Sequence, residues 1–65
     1  MKALEYIKSH PDIICWNVFR WQEDPEEFWQ GWNAIDVAEI EEDELVDDAF
    51  PDENTMSCDL YLTWY

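Results

Sequence analysis

From Asp36 to Glu53 the chain reads DVAEIEEDELVDDAFPDE, ten acids in eighteen residues with no Lys, Arg or His to offset them. Like charges at this density repel, so such a block stays disordered or solvating unless a fold mounts it and something outside gains from its field. Val37, Ile40, Leu45, Val46 and Phe50 interrupt the block, spaced so that it grips a core while its carboxylates face outward. Any fold of this chain has to carry that acidic surface.

Chain length limits how it does so. The 65 residues make one domain, 1–65, and a single core of that size supplies roughly 3 to 5 kcal/mol, so small scaffolds need an added device. Here the device is aromatic mass: five Trp, three Tyr and three Phe, each able to bury about 150 to 250 Å². A hydrophobic fraction of 48% argues against intrinsic disorder, while a formal charge of -14 puts the folded domain under electrostatic strain.

The charge is unevenly placed. Residues 1–20 hold Lys2, Lys8 and Arg20 against Glu5 and Asp12, whereas residues 21–65 hold fifteen acids and no base. Direct binding to nucleic acid or to an anionic membrane is therefore disfavoured, and a cationic partner is expected. MKALEYIKSHP lacks the apolar core of a signal peptide, and no run approaches the roughly 20 apolar residues of a membrane span, so a cytosolic protein is expected. Cys15 and Cys58 then read as two reduced, buried thiols, and with His10 they do not make a zinc site.

In chain order, Lys2 to Ser9 reads as a short helix with Leu4 and Ile7 facing inward, stopped by His10-Pro11, with His10 placed near the last carbonyls. Asp12 to Gln22 is β-branched and aromatic and reads as a central strand; a buried helix is the alternative that periodicity leaves open. Arg20, the last base, is expected to ion-pair with a neighbouring carboxylate. Asp24-Pro25-Glu26-Glu27 carries the signature of a helix start, predicting a helix to about Asn33 whose Phe28, Trp29 and Trp32 pack as core and whose Gly31 ends it or admits a close neighbour. Asp36 with Glu39 predicts a further helix that Phe50-Pro51 ends, although like charges at Glu39, Asp43 and Asp47 oppose it. Asp52 to Ser57 reads as a loop. Ser57 to Tyr65 alternates as a half-exposed strand, Cys58, Leu60, Leu62 and Trp64 on one face and Asp59, Tyr61, Thr63 and Tyr65 on the other. Its antiparallel pairing with the 12–22 strand would close an α+β unit of a short N-terminal helix, a central strand, one or two further helices and a C-terminal strand.

Catalysis is not expected. Paired carboxylates abound, but acid–base work needs two acids with divergent pKa values in a pocket, and so short a chain has little room for one. No Ca²⁺ loop is present, since neither ELVDDAFPDEN nor EIEEDELVDDAF has the central Gly, and no cofactor or metal site is expected. What remains is a partner with a positive surface. Carboxylates on a rigid fold can stand in for DNA phosphates, because a Lys and Arg groove responds mainly to charge and spacing. Acids four apart on a helix stand about 6 Å apart along its axis and alternate strand residues about 6.7 Å, against an axial rise of about 6.8 Å for two phosphate steps of one DNA strand. The expected contact residues are Asp36, Glu39, Glu41, Glu42, Asp43, Glu44, Asp47, Asp48, Asp52, Glu53 and Asp59, with Tyr61 and Tyr65 as aromatic anchors.

The combination of ICWNVFRWQEDPEEFWQGW with EIEEDELVDDAFPDEN in a 65-residue chain resembles the small phage-encoded anti-CRISPR proteins of the DNA-mimic kind, most closely inhibitors of the type I-C system. The resemblance implies a phage protein acting in the cytoplasm of an infected bacterium. It would bind the CRISPR surveillance complex (Cascade), at the large subunit that reads the PAM, where double-stranded target DNA enters, and so prevent target recognition. An immunity protein or antitoxin that blocks the basic cleft of a nuclease toxin is the alternative, and an acidic chaperone of a basic protein is a third possibility. Self-repulsion favours a monomer.

Overall fold

Two hairpins account for most of the chain in the computed structural model, which describes residues 1–63. Cys15–Asp24 (β1) returns through residues 25–28 into Trp29–Ile35 (β2), and the two pair antiparallel with Asp24 opposite Trp29. Val46–Asp52 (β3) returns through residues 53–56 into Ser57–Leu62 (β4), with Asp52 opposite Ser57. The two turns share a design. Asp24 Oδ1 accepts the backbone N–H groups of Glu26 and Glu27 at 2.9 and 3.1 Å, and Asp52 Oδ1 accepts that of Asn54 at 2.9 Å. Each loop then closes on a residue with positive φ, Phe28 at 58° and Met56 at 52°. A carboxylate that satisfies turn amides starts the reversal, and the left-handed residue brings the second strand into register.

The sheet order is β2-β1-β4-β3, so the inner strands of the two hairpins meet at the centre. They pair parallel, Cys15 opposite Ser57 through Phe19 opposite Tyr61. One face of this sheet is covered. Helix Ala3–Lys8 (α1) and the connection 36–45, which opens with a 3₁₀ turn at Val37–Glu39, pack there, and Ala3, Val18, Ile40, Leu60 and Leu62 form the core. Leu4, Ile7, Trp16, Ile35, Val46 and Ala49 line its margin. At the end of α1, His10 Nδ1 lies 2.7 Å from the Tyr6 carbonyl oxygen, its ring stacked on Tyr6 at 4.2 Å, a helix-end role as the sequence suggested.

Four expectations are corrected. Residues 24–33 are not a helix: Asp24 caps the amides foreseen, but Phe28 then reverses the chain, and β2 follows because Trp29, Trp32 and Ile35 pair well across a sheet while Gly31 and Asn33 are poor helix formers. Phe28, Trp29 and Trp32 are accordingly not core; Phe28 is 91% exposed. Residues 36–50 hold only the 3₁₀ turn before β3, consistent with like-charge repulsion at helical spacing and with β-branched Val46 and aromatic Phe50. Pro51 fits because β3 is an edge strand, where a missing N–H leaves no ladder bond unmade. The central pairing is parallel rather than antiparallel; β4 meets β1 on one edge and its own hairpin mate β3, antiparallel, on the other. Finally, Cys15 is exposed; only Cys58 is buried, and both thiols are free. The α+β class with a short N-terminal helix stands. Trp64 and Tyr65 lie outside the described residues.

Two measurements check this fold. Burial pushes the Cys58 thiol above its ordinary pKa, so brief iodoacetamide treatment should add one label, at Cys15, and a second only in denaturant, as read by mass spectrometry. A Cβ at Gly31 would meet nothing within 4 Å; Gly31→Thr should therefore stabilise the protein by about 0.5 to 1 kcal/mol, seen as a higher urea midpoint.

Candidate functional site

Side chains alternate across β4, and the alternation defines the site. Cys58, Leu60 and Leu62 are buried on the covered face, while Ser57, Asp59 and Tyr61 stand half-buried on the other. Register extends that second face across all four strands. Trp32 and Ala34 of β2, Asn17, Phe19 and Trp21 of β1, and Asp48, Phe50 and Asp52 of β3 share it with Asp59 and Tyr61. No Lys or Arg of β1–β4 lies on this open face; Arg20, the one base in these strands, points to the other side.

Aromatic rings form the floor. Phe19 stacks on Tyr61 at 4.9 Å and 20°, and Trp32 and Phe50 meet Tyr61 nearly at right angles, at 5.1 and 5.8 Å. Trp21 extends the belt, edge-on to Trp32 at 5.3 Å. Edge-to-face contacts of this kind contribute about 0.5 to 1.5 kcal/mol beyond area burial, so the belt holds its own shape. The carboxylates sit along one side of it. Asp48 lies opposite Tyr61, and Asp52 lies opposite Ser57; Asp59, opposite Phe50, stands on the diagonal between them. Diagonal neighbours on one sheet face are separated by about 7 to 8 Å, close to the axial rise of roughly 6.8 Å for two phosphate steps of one DNA strand. Asn17 Nδ2 donates to Asp59 Oδ1 at 3.0 Å and fixes the middle carboxylate.

The acidic stretch is thus divided by the fold. Asp36, Glu39, Glu41, Glu42 and Asp43 are exposed on the connection over the covered face, whereas Asp48 and Asp52 are on the open face, Asp47 is at the bulge between Val46 and Asp48, and Glu53 is in the β3–β4 loop. Glu44 is different. It is 8% exposed, and its carboxylate takes Arg20 Nε and Nη2 at 2.7 and 3.0 Å and the Glu41 N–H at 2.9 Å. Arg20 Nη2 also donates to the Glu39 carbonyl at 2.9 Å, and the Glu44 contact holds the guanidinium pKa above its ordinary value. This is the neighbouring carboxylate that the sequence called for, and the only ion pair among the described residues. Glu44 therefore fastens the connection to β1 and is not available to a partner. Tyr61 is central to the face; Tyr65 lies outside the described residues.

Trp32 and Phe50 were read from sequence as core and as a gripping residue, and the fold instead places them on the open face. The one sequence signal for this was the period-two run Asp48, Phe50, Asp52, masked by the helix-like spacing of the acids before it. Among the described residues no group of three or more His, Cys, Asp or Glu could hold a metal ion, and no helix is long and apolar enough to cross a membrane. No family model, curated protein or solved structure matches this chain.

Because Glu44 is buried with Arg20 as its cation, Arg20→Met leaves an unpaired charge beneath the connection. It should destabilise the domain by about 2 to 3 kcal/mol in urea unfolding, whereas Glu42→Gln, on an exposed residue, should change stability by less than about 0.5 kcal/mol.

Proposed function

We propose that the protein is an acidic mimic of double-stranded DNA that occupies the cationic groove of a bacterial DNA-binding complex and keeps target DNA out. The observation that carries this reading is the line Asp48, Asp59, Asp52 on a sheet face that bears no basic residue, at a diagonal spacing of about 7 to 8 Å. A Lys and Arg groove built for phosphates gains its attraction from charge at such spacing, without reading sequence. The remaining exposed acids, Asp36 to Asp43 on the connection and Glu53 in the turn, add a long-range field that steers encounter. The protein is not expected to bind nucleic acid itself or to act as an enzyme.

The target class follows from the resemblance set out above: a type I CRISPR surveillance complex, met at the subunit that reads the PAM, in the cytoplasm of a phage-infected bacterium. Charge reversal tests both the face and the class. With a purified type I-C surveillance complex, the protein should abolish the gel shift of double-stranded target DNA, and Asp48→Lys with Asp59→Lys should restore it without loss of the folded circular dichroism signal. Raising salt from 50 to 200 mM should weaken inhibition by on the order of tenfold or more. Full inhibition by the doubly reversed protein would remove the open face as the DNA surrogate. Inhibition of a basic nuclease, with no effect on the surveillance complex, would move the same face to the immunity-protein class.

A further inference from the structure

The aromatic belt does something that a row of carboxylates alone does not. Trp32, Phe50 and Tyr61, with Asp47 and Asp48 beside them, line an open depression of about 350 Å³ at the β3 side of the open face. Trp32 and Phe50 stand at 84° and 86° to the Tyr61 ring, so the three rings form walls rather than a flat stack. Phe50 is 55% exposed and Trp32 37% exposed, although both would be better buried in a chain with so small a core. The sheet register, not chance, sets them there: Phe50 faces outward between Asp48 and Asp52 on β3, and Trp32 outward opposite Trp21.

From this juxtaposition we infer that the depression is a receptor for one arginine side chain of the protein partner. π faces attract a cation, and a guanidinium is favoured over an ammonium because it is planar, weakly hydrated and able to stack on rings while its N–H groups fork onto carboxylates. Asp47 and Asp48 supply acceptors at the rim, and no base on these strands competes for them. In DNA recognition an arginine that reads a base makes a bidentate contact to guanine O6 and N7. A carboxylate pair beside a ring surface offers the same arginine an equivalent fork, so the notch substitutes for a base edge where the Asp48, Asp59, Asp52 line substitutes for phosphates. Asp48 belongs to both. The inference deepens the proposed function and rests on its cationic partner, but arginine binding is measurable without any partner protein.

The test is a titration of the full chain with Nα-acetyl-arginine amide, and separately with Nα-acetyl-lysine amide, followed by NMR of the aromatic side chains. The arginine probe should shift the Trp32, Phe50 and Tyr61 ring signals saturably and bind more tightly than the lysine probe. Phe50→Leu, which keeps apolar bulk and removes the π system, should weaken arginine binding by about twofold to fivefold, and Asp48→Asn should weaken it further, both with backbone dispersion retained. Equal responses to the two probes, no saturable shift of the Trp32, Phe50 and Tyr61 rings, or arginine binding unchanged by Phe50→Leu would overturn the inference. Phe50→Leu leaves every carboxylate in place, which separates the two readings. Arginine selectivity together with unaltered inhibition by the Asp48→Lys, Asp59→Lys protein would sink DNA mimicry and keep the notch. Charge-dependent inhibition without arginine selectivity would do the reverse.

Discussion

Arg20 and Glu44 hold the two layers of this protein together. Arg20 is the only Lys or Arg after residue 8, and it projects from β1 toward the covered face. There it grips the Glu44 carboxylate and the Glu39 carbonyl, while Glu44 in turn accepts the Glu41 amide and its backbone carbonyl accepts the Ala3 N–H at the start of α1. One cation thereby fixes the connection that seats Ile40 in the core and docks the helix that supplies Ala3. Two partly desolvated charges are held in place by several hydrogen bonds, the condition under which such a pair offsets its desolvation cost. With the connection held, the acids that ride on it are presented outward rather than left to repel one another in a loose chain.

Sequence reasoning reached the fold class, the short helix, the alternation of the last strand and the pairing of Arg20 with a carboxylate. It failed where local chemistry is shared between structures. Asp24 followed by Pro25 and two Glu satisfies amides in the same way at a helix N-terminus and at the start of a hairpin turn, and only the left-handed Phe28 four residues later separates them. A positive φ at a phenylalanine leaves no trace in composition. The stretch after Asp36 misled for a different reason: Glu, Leu and Ala favour a helix one residue at a time, and the cost of their charges appears only when they are brought to helical spacing. Parallel pairing of β1 with β4 was out of reach, since no local pattern encodes the relative direction of two strands so distant in the chain.

The candidate face was legible by halves. Asp59 and Tyr61 follow from the clean alternation of residues 57–62, and Asp48 and Asp52 from their place in the acidic stretch. Trp32 and Phe50 were hidden because a short chain leads one to spend every aromatic ring on the core. The core actually built is aliphatic, centred on Val18, Leu60 and Leu62, with Tyr6 and Trp16 at its margin, and Phe28, Trp32 and Phe50 are left at the surface. A domain that can leave large rings in water on one side has met its burial needs on the other.

Edge strand β3 shows what that choice entails. An exposed strand beside an uncovered aromatic sheet face is the usual template for sheet-to-sheet growth, and here Asp47, Asp48, Pro51 and Asp52 occupy it. The carboxylates that recommend this face as a binding surface are also gatekeepers against fibril formation, and the proline denies an incoming strand one of the donors it would need. Neutral residues there would strip the edge of that protection, and Asp52 is tied further, because its short side chain is the one that accepts the Asn54 amide and turns the chain into β4.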